Sequence, residues 1–391
     1  MRTVQLKLTS LIAAALLIFA SGGFVVYEGQ MHDWHIGKTD KTKIDFSQLQ
    51  TIYDVLQRKF DGQLDPAKLL DGAKIGLTAA TGDPYTTYLD QKAAKALDDD
   101  LSGTLSGIGA EIGIRSQALS VIAPIDGSPA AKAGLKSKDL IVKINGEDSS
   151  GLTLEEAVSK IRGDKGTQVK LTIVRGNQAA FDLTITRDVI NVASVKWSQP
   201  KPGVGLIKIS RFGSDTSSLI DQAAGELKQQ GVKKIVLDLR DDPGGYLDAA
   251  VKVSGEFLNA GDLVVEERHG DKSIDKLTAP AGGQLVGVPM VVLINGGSAS
   301  ASEIVTGALQ DHHEATVVGE TSYGKGSVQE VQKLYNGAAL KVTVAHWYTP
   351  NGKNIGKEGI KPDVEVKMET ADFDAGRDPQ MDKAMEIIAT K

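Results

Sequence analysis

Val288-Pro-Met-Val-Val-Leu-Ile-Asn-Gly-Gly-Ser-Ala-Ser-Ala-Ser-Glu303 is the stretch on which the fold turns. Its first half, Val288 to Ile294, is an apolar run of strand length, and its second half opens a helix near Ser300. The same succession precedes it: a strand over Gly203 to Ile209, a helix over Ser218 to Gln230, the apolar strand Lys234 to Leu239 and a helix over Leu247 to Leu258. Strands that alternate with helices imply a layered α/β core.

Upstream the texture differs. Phe46, Leu49, Tyr53, Leu56 and Phe60 recur at three- and four-residue intervals and mark an amphipathic helix. A second helix runs through Ala67 to Ala79 and stops at Gly82-Asp83-Pro84. From Leu101 to Val189 come strands at Leu119 to Pro124, Asp139 to Ile144, Val169 to Val174 and Ala180 to Ile185, with helical segments at Ala130 to Ala133 and Leu154 to Ile161. This β-rich module is inserted between the N-terminal helices and the α/β core. A last short helix spans Asp378 to Ile388.

At 391 residues the chain exceeds one ordinary core. The expected division is 1–30 as signal or membrane anchor, 31–98 as N-terminal helices, 99–190 as the inserted module, 191–372 as the α/β core and 373–391 as the C-terminal helix.

Composition excludes several functions. Forty-four basic against fifty acidic residues leave a net charge of −6, so no nucleic-acid partner is expected. With no cysteine, disulfides, thiolate zinc sites and cysteine nucleophiles are ruled out. No HExxH or comparable ligand pair is present, so no metal site is expected. Arg2 and Lys7 precede an apolar stretch from Leu11 to Tyr27, the pattern of an export signal. Ile18-Phe19-Ala20 is a poor cleavage site. An uncleaved anchor holding the protein on the extracytoplasmic face of the membrane is therefore expected over a cleaved signal that yields a periplasmic or secreted protein. A buried terminal helix is the remaining alternative.

Three glycine-bearing runs carry the chemistry. The first is Asn295 to Glu303. A hydroxyl at a strand-to-helix junction stands where free helix-terminal N–H groups stabilise developing negative charge, which suits a nucleophile. Ser298, Ser300 and Ser302 compete for that role, and each is equally a plain helix N-cap.

The second run is Gly319-Glu-Thr-Ser-Tyr-Gly-Lys-Gly-Ser-Val-Gln329, where Lys325 is flanked by glycines. If a strand starts at Ser327, then Lys325, Ser327 and Gln329 face one side, and the amide of Gln329 is able to orient the amine. A lysine serves as base only when desolvation lowers its pKa. The run also approaches a phosphate-binding loop, but Gly326 replaces the Ser/Thr that would hold magnesium; a solvated turn lysine is the plain alternative.

The third run is Asp238-Leu-Arg-Asp-Asp-Pro-Gly-Gly-Tyr246. Its paired glycines present backbone N–H groups, so Gly244 or Gly245 is a candidate oxyanion donor together with the amide of Ala301; the alternative is a tight turn. A serine-histidine-acid arrangement would have to draw on His269, His312, His313 or His346, none of them in a glycine-framed setting.

Together these runs resemble the C-terminal processing peptidases, also called tail-specific proteases. The resemblance covers nearly everything after the signal, including Gly82-Asp83-Pro84-Tyr85 and the closing run from Tyr348 to Asp363. It implies an exported serine endopeptidase with a crotonase-like α/β layered protease core, an inserted β-rich PDZ domain and N-terminal helices. It places the nucleophile at the middle serine, Ser300, the base at Lys325 and a supporting glutamine at Gln329. No metal or organic cofactor is required.

In the PDZ module, Gly107-Ile-Gly-Ala-Glu-Ile112 resembles the loop whose amides receive a C-terminal carboxylate. The resemblance thus assigns tail binding to Gly107, Ile108 and Gly109, with Ile108 and Ile112 shaping the slot for the last side chain. Arg162 occupies the place of an arginine that in some relatives links the PDZ module to the core; a surface ion pair is its alternative. Asp241-Asp242 stands where asparagines are more usual, which adds negative charge beside the proposed oxyanion loop. The implied partners are proteins or peptides with free, apolar C-termini. Some relatives pair through terminal helices, and the Phe46 to Phe60 face suits either a homodimer or the chain's own core. The rival of a different class, a non-catalytic PDZ protein gathering C-termini at a membrane surface, accounts for the Gly107 loop but not for the three runs together.

Overall fold

The computed structural model describes residues 44–391 except 116, 117, 126, 177 and 357. The expected signal, residues 1–30, lies outside the described residues, and no helix among the described residues is long and apolar enough to cross a membrane.

The chain divides into two units, Met1–Leu70 and Asp71–Lys391. In the first, the expected amphipathic helix spans Ser47–Lys59, and none of its residues is buried. Leu49, Ile52 and Val55, one helical turn apart, are all exposed. The second expected helix, Pro66–Ala79, starts in this unit.

The second unit is organised by a six-stranded sheet in the order Val195–Lys201, Val204–Ile209, Lys234–Asp238, Met290–Ile294, Ala315–Gly319, Val364–Glu365. The first pair is antiparallel and the rest are parallel. Parallel strands covered on both faces need apolar side chains at every position, which is why the central runs show no polar alternation. Alternate residues divide between two cores. Ile235, Leu237, Val292 and Ile294 pack with the helices Thr216–Gln229, Leu247–Gly255 and Ala301–Asp311, while Val236, Val291 and Leu293 pack with Ala384 and Ile388 of the helix Pro379–Thr390. That last helix is capped by Asp378, which accepts from the N–H of Met381 at 2.9 Å and also takes the Arg240 guanidinium at 2.8 and 2.9 Å. The strand expected from Val288 begins at Met290 because Pro289 has no N–H to give the ladder.

This topology positions the site. Lys234–Asp238, Met290–Ile294 and Ala315–Gly319 are neighbours pointing the same way, so the loops leaving their carboxyl ends converge on one edge. Those loops are the three glycine-bearing runs. The run that leaves Gly319 continues into Ser327–Lys333, which pairs with Ala339–Tyr348 in a second sheet that also holds Thr87–Leu89, Leu263–His269 and Lys272–Thr278.

The inserted module is an antiparallel sheet of Ala110–Arg115, Ala118–Pro124, Leu140–Ile144, Gln168–Val174 and Phe181–Thr186 with the short Glu147–Asp148. Its own core is built on Val169, Leu171, Ile173 and Ile185, closed by Ala157 and Ile161 of the helix Leu154–Ile161. A two-stranded ribbon, Thr104–Gly107 against Asp188–Asn191, brings the chain in and takes it out side by side.

Replacing Leu237 by Ala is expected to lower unfolding free energy by about 2–5 kcal/mol in urea denaturation, because rigid strands cannot collapse into the void. The same change at exposed Ile274 is expected to shift it by under about 0.5 kcal/mol.

Candidate active site

Geometry separates the three serines. Ser298 and Ser302 are wholly buried, and both hydroxyls are committed to backbone. Ser298 Oγ donates to the Leu239 carbonyl at 2.8 Å and accepts from the Asn295 N–H at 3.0 Å; Ser302 Oγ donates to the Asp242 carbonyl at 3.0 Å. Ser300, immediately before the helix Ala301–Asp311, is half-buried and faces a cleft. Its φ of 55° and ψ of −113° are unfavourable for a residue with a Cβ, and its hydroxyl makes no capping bond. A strained non-glycine backbone at such a junction presents the side chain outward.

Lys325 faces the same cleft, whose volume is about 840 Å³. Burial pulls its amine below the usual lysine range, the positive charge of Lys341 adds to the depression, and the Glu303 carboxylate opposes it. Its Nζ lies 5.6 Å from the centre of the Tyr85 ring. Tyr85 is fixed there because Asp83 accepts from the hydroxyls of Thr86 and Thr343, each at 2.6 Å, tying the Gly82-Asp83-Pro84-Tyr85 segment to the strand Ala339–Tyr348. No hydrogen bond joins Ser300 Oγ to Lys325 Nζ in this resting state; such contacts commonly tighten only with substrate bound.

Ser327 and Gln329 line the cleft too, together with Val328, Glu330 and Val331 of the same strand, so strand alternation does not single them out. The Gln329 amide donates to Ser327 Oγ at 2.7 Å, so here it braces the strand and not the amine. No histidine among the described residues lines the cleft: His312 faces the Leu263 carbonyl and His269 the Val344 carbonyl.

One residue that sequence reasoning passed over as a helix position holds the two loops together. Glu303 is fully buried. Its Oε2 accepts from the N–H of Ser300 at 2.8 Å and of Lys325 at 3.0 Å; its Oε1 accepts from the N–H of Gly324 at 2.7 Å and from Ser322 Oγ at 2.5 Å. The available signal was its place three residues after Ser300, where a capping carboxylate reaches back to the N-cap amide.

The glycine pair packs directly on the Ser300 turn. A Cβ on Gly244 would lie 2.6 Å from the Ala299 carbonyl and 2.8 Å from Ala301 N, and Gly244 sits at φ 95°. Its N–H donates to Asp242 Oδ1 at 2.8 Å. Gly245, at φ 147°, bridges Phe212 through the Gly244 carbonyl and the Tyr246 N–H, which turns its own N–H away from that bridge. Among the described residues no backbone acceptor is found for the N–H groups of Gly245 or Ala301.

In the inserted module, the carbonyls of Ile108 and Gly109 accept from Ala130 and Ile125, at 2.7 and 2.9 Å, which faces the loop's amides the other way. Ile108 is buried in the module's core and Ile112 packs against it. Arg162 makes no ion pair among the described residues; its stem adjoins Gly107, and it lines the same cleft as Ser300 and Lys325.

Comparison with known proteins agrees with this layout. Residues 203–366 match peptidase family S41, residues 120–175 match a PDZ domain, and residues 19–93 match the N-terminal domain of the activating protease CtpB. The carboxy-terminal processing protease CtpA of Bacillus subtilis is 37% identical over 372 residues, covering 93% of this chain and 78% of that protein. A probable CtpA-like serine protease of Staphylococcus aureus is 38% identical over 332 residues, covering 85% of this chain and 66% of its own length. Among solved structures, the photosystem II D1 C-terminal processing protease superposes with a TM-score of 0.53 at 29% identity, covering 83% of this chain and 87% of that one. The fold is that of the S41 serine peptidases with a PDZ domain. Within that class, the chain belongs to the carboxy-terminal processing proteases.

Replacing Glu303 by Ala is expected to leave three buried N–H groups without an acceptor, at about 1–3 kcal/mol each, and to lower kcat at least about a hundredfold. Thermal unfolding and peptide cleavage check the two effects separately. Gly244→Ala is expected to abolish cleavage, because both its φ and its packing exclude a side chain.

Proposed function

We propose that the protein is an exported endopeptidase, anchored through residues 1–30, that captures protein C-termini in its PDZ module and cuts peptide bonds with a Ser300–Lys325 dyad. Ser300 Oγ attacks the scissile carbonyl carbon while neutral Lys325 Nζ takes its proton. The N–H groups of Gly245 and Ala301, with Gly244 shaping the turn, hold the oxyanion. Collapse breaks the C–N bond as Lys325 returns the proton to the leaving amine. Water, deprotonated by the same amine, then attacks the ester and restores Ser300. Gln329 supports the strand that follows the lysine loop. The observation that carries this reading is one cleft holding Ser300, Lys325, Gly244 and Gly245, with the two competing serine hydroxyls locked to backbone.

Recognition follows from the second module. A free C-terminal carboxylate is received by the amides of the Gly107-Ile108-Gly109 loop, with Ile112 beside the slot, and the peptide adds as a strand. Arg162, placed between that loop and the cleft, couples tail binding to catalysis. The domain division is 1–30, 31–98, 99–190, 191–372 and 373–391, and the exposed apolar face of Ser47–Lys59 pairs two copies.

Ser300→Ala and Lys325→Ala are each expected to lower kcat on an unstructured protein at least about a thousandfold with circular dichroism unchanged; full activity of either variant defeats the dyad. Because the base must be neutral, activity is expected to rise with pH through a lysine pKa depressed from its ordinary value. Amidating the substrate's C-terminus is expected to raise KM about tenfold or more, and Arg162→Ala to remove the difference between free and amidated tails.

A further inference from the structure

Asp242 is fully buried between the oxyanion loop and the Ser300 turn. Its backbone carbonyl accepts from the Ala299 N–H and from Ser302 Oγ, each at 3.0 Å, so it touches both neighbours of the Ser300–Ala301 pair. Its Oδ1 accepts from the Gly244 N–H at 2.8 Å, while its Oδ2, equally buried, has no partner. One neutral donor is far too little to hold a carboxylate out of water. An asparagine at this position would give Gly244 the same acceptor without carrying charge.

The charged groups around it do not supply the missing donor. Arg211, on the segment after Val204–Ile209, gives its Nη2 to the Val192 carbonyl at 2.5 Å and to Asp215 at 3.3 Å. Glu303, on the helix side, is committed to its four donors. On the same loop, Asp241 is bonded to Asn295, and Arg240 to Asp238 and Asp378.

We propose that Asp242 is a positioning residue for the oxyanion site, holding the Gly244 N–H through a neutral carboxyl, and that loss of its proton shuts the peptidase down by setting a negative charge beside the forming oxyanion. Gly244 thereby keeps the Gly245 amide directed to the cleft. Burial pushes the Asp242 carboxyl up to about 8, with Arg211, Ser302 and the Gly244 amide pulling the other way. This chain therefore carries two opposing pH limbs: activity rises as Lys325, depressed from the ordinary lysine range, loses its proton, and falls as Asp242 ionises. The native state also holds one proton more than the unfolded chain between the ordinary aspartate range and about 8, so stability falls as pH rises through that interval and levels off above it.

The inference rests on the Ser300–Lys325 reading, and its test is separable from it. The full chain and Asp242→Asn are compared by kcat/KM against a free-tailed peptide across pH about 6 to 10. The native protein is expected to lose activity above about pH 8, while Asp242→Asn keeps the rising limb, lacks the falling one and exceeds the native protein about tenfold or more two units higher. Identical falling limbs overturn the proposal. Should Asp242→Asn not fold, difference infrared spectroscopy of the Ser300→Ala protein decides it. A protonated carboxylic acid present at neutral pH and lost near pH 8 is expected, and its absence at neutral pH overturns the proposal whatever Ser300 does.

Discussion

A single buried carboxylate sets the separation between the two loops on which everything else depends. The Ser300 turn and the Lys325 turn leave different strands and are joined directly by a main-chain bond from the Tyr323 N–H to the Ser298 carbonyl at 3.0 Å. Glu303 stands between them and binds the backbone N–H of both residues through the same oxygen. The relative placement of hydroxyl and amine is thus fixed through main chain, which moves far less than a long lysine side chain. Four donors also satisfy the charge well enough for it to remain where water does not reach.

Around this tie the fold divides labour by layer. The parallel sheet, apolar on both faces, contributes rigidity and gathers three loops on one edge. The second sheet contributes one strand, Ser327–Lys333, that extends the lysine loop along the cleft, and its partner Ala339–Tyr348 also receives the Asp83 segment that sets Tyr85 beside the amine. The depressed lysine pKa is the product of this crowding. The PDZ module adds Arg162 to the rim, so the Gly107 loop and the cleft share one side chain.

Much of this was legible in the sequence where a physical pattern was strong. Unbroken apolar runs such as Met290–Ile294 and glycine-framed loops gave the α/β layers and the three runs. The hairpin of Leu263–His269 and Lys272–Thr278 was not anticipated, because its second strand is mostly exposed and carries charge at Lys272, Asp275 and Lys276, so it lacks an apolar signature. The Ala315–Gly319 strand was not anticipated because its run Ala-Thr-Val-Val-Gly holds fewer large apolar side chains than the equally short Met290–Ile294. Spacing alone left Ser298, Ser300 and Ser302 equivalent; what distinguishes them is which carbonyls lie nearby, and that is tertiary information. Asp242 read as added charge beside the proposed oxyanion loop and is in fact fully enclosed, and Glu303 read as an ordinary helix residue. Both act through contacts with segments distant in sequence, which no local pattern encodes.

The ribbon of Thr104–Gly107 and Asp188–Asn191 makes the PDZ module a cassette. Because entry and exit lie side by side and the module closes its own core, its two splice points are a few ångströms apart and the hydrolytic half is left whole when the cassette changes. Recombination at this pair of strands exchanges the module together with Arg162 on the cleft rim, while the strands and loops that hold Ser300 and Lys325 stay as they are.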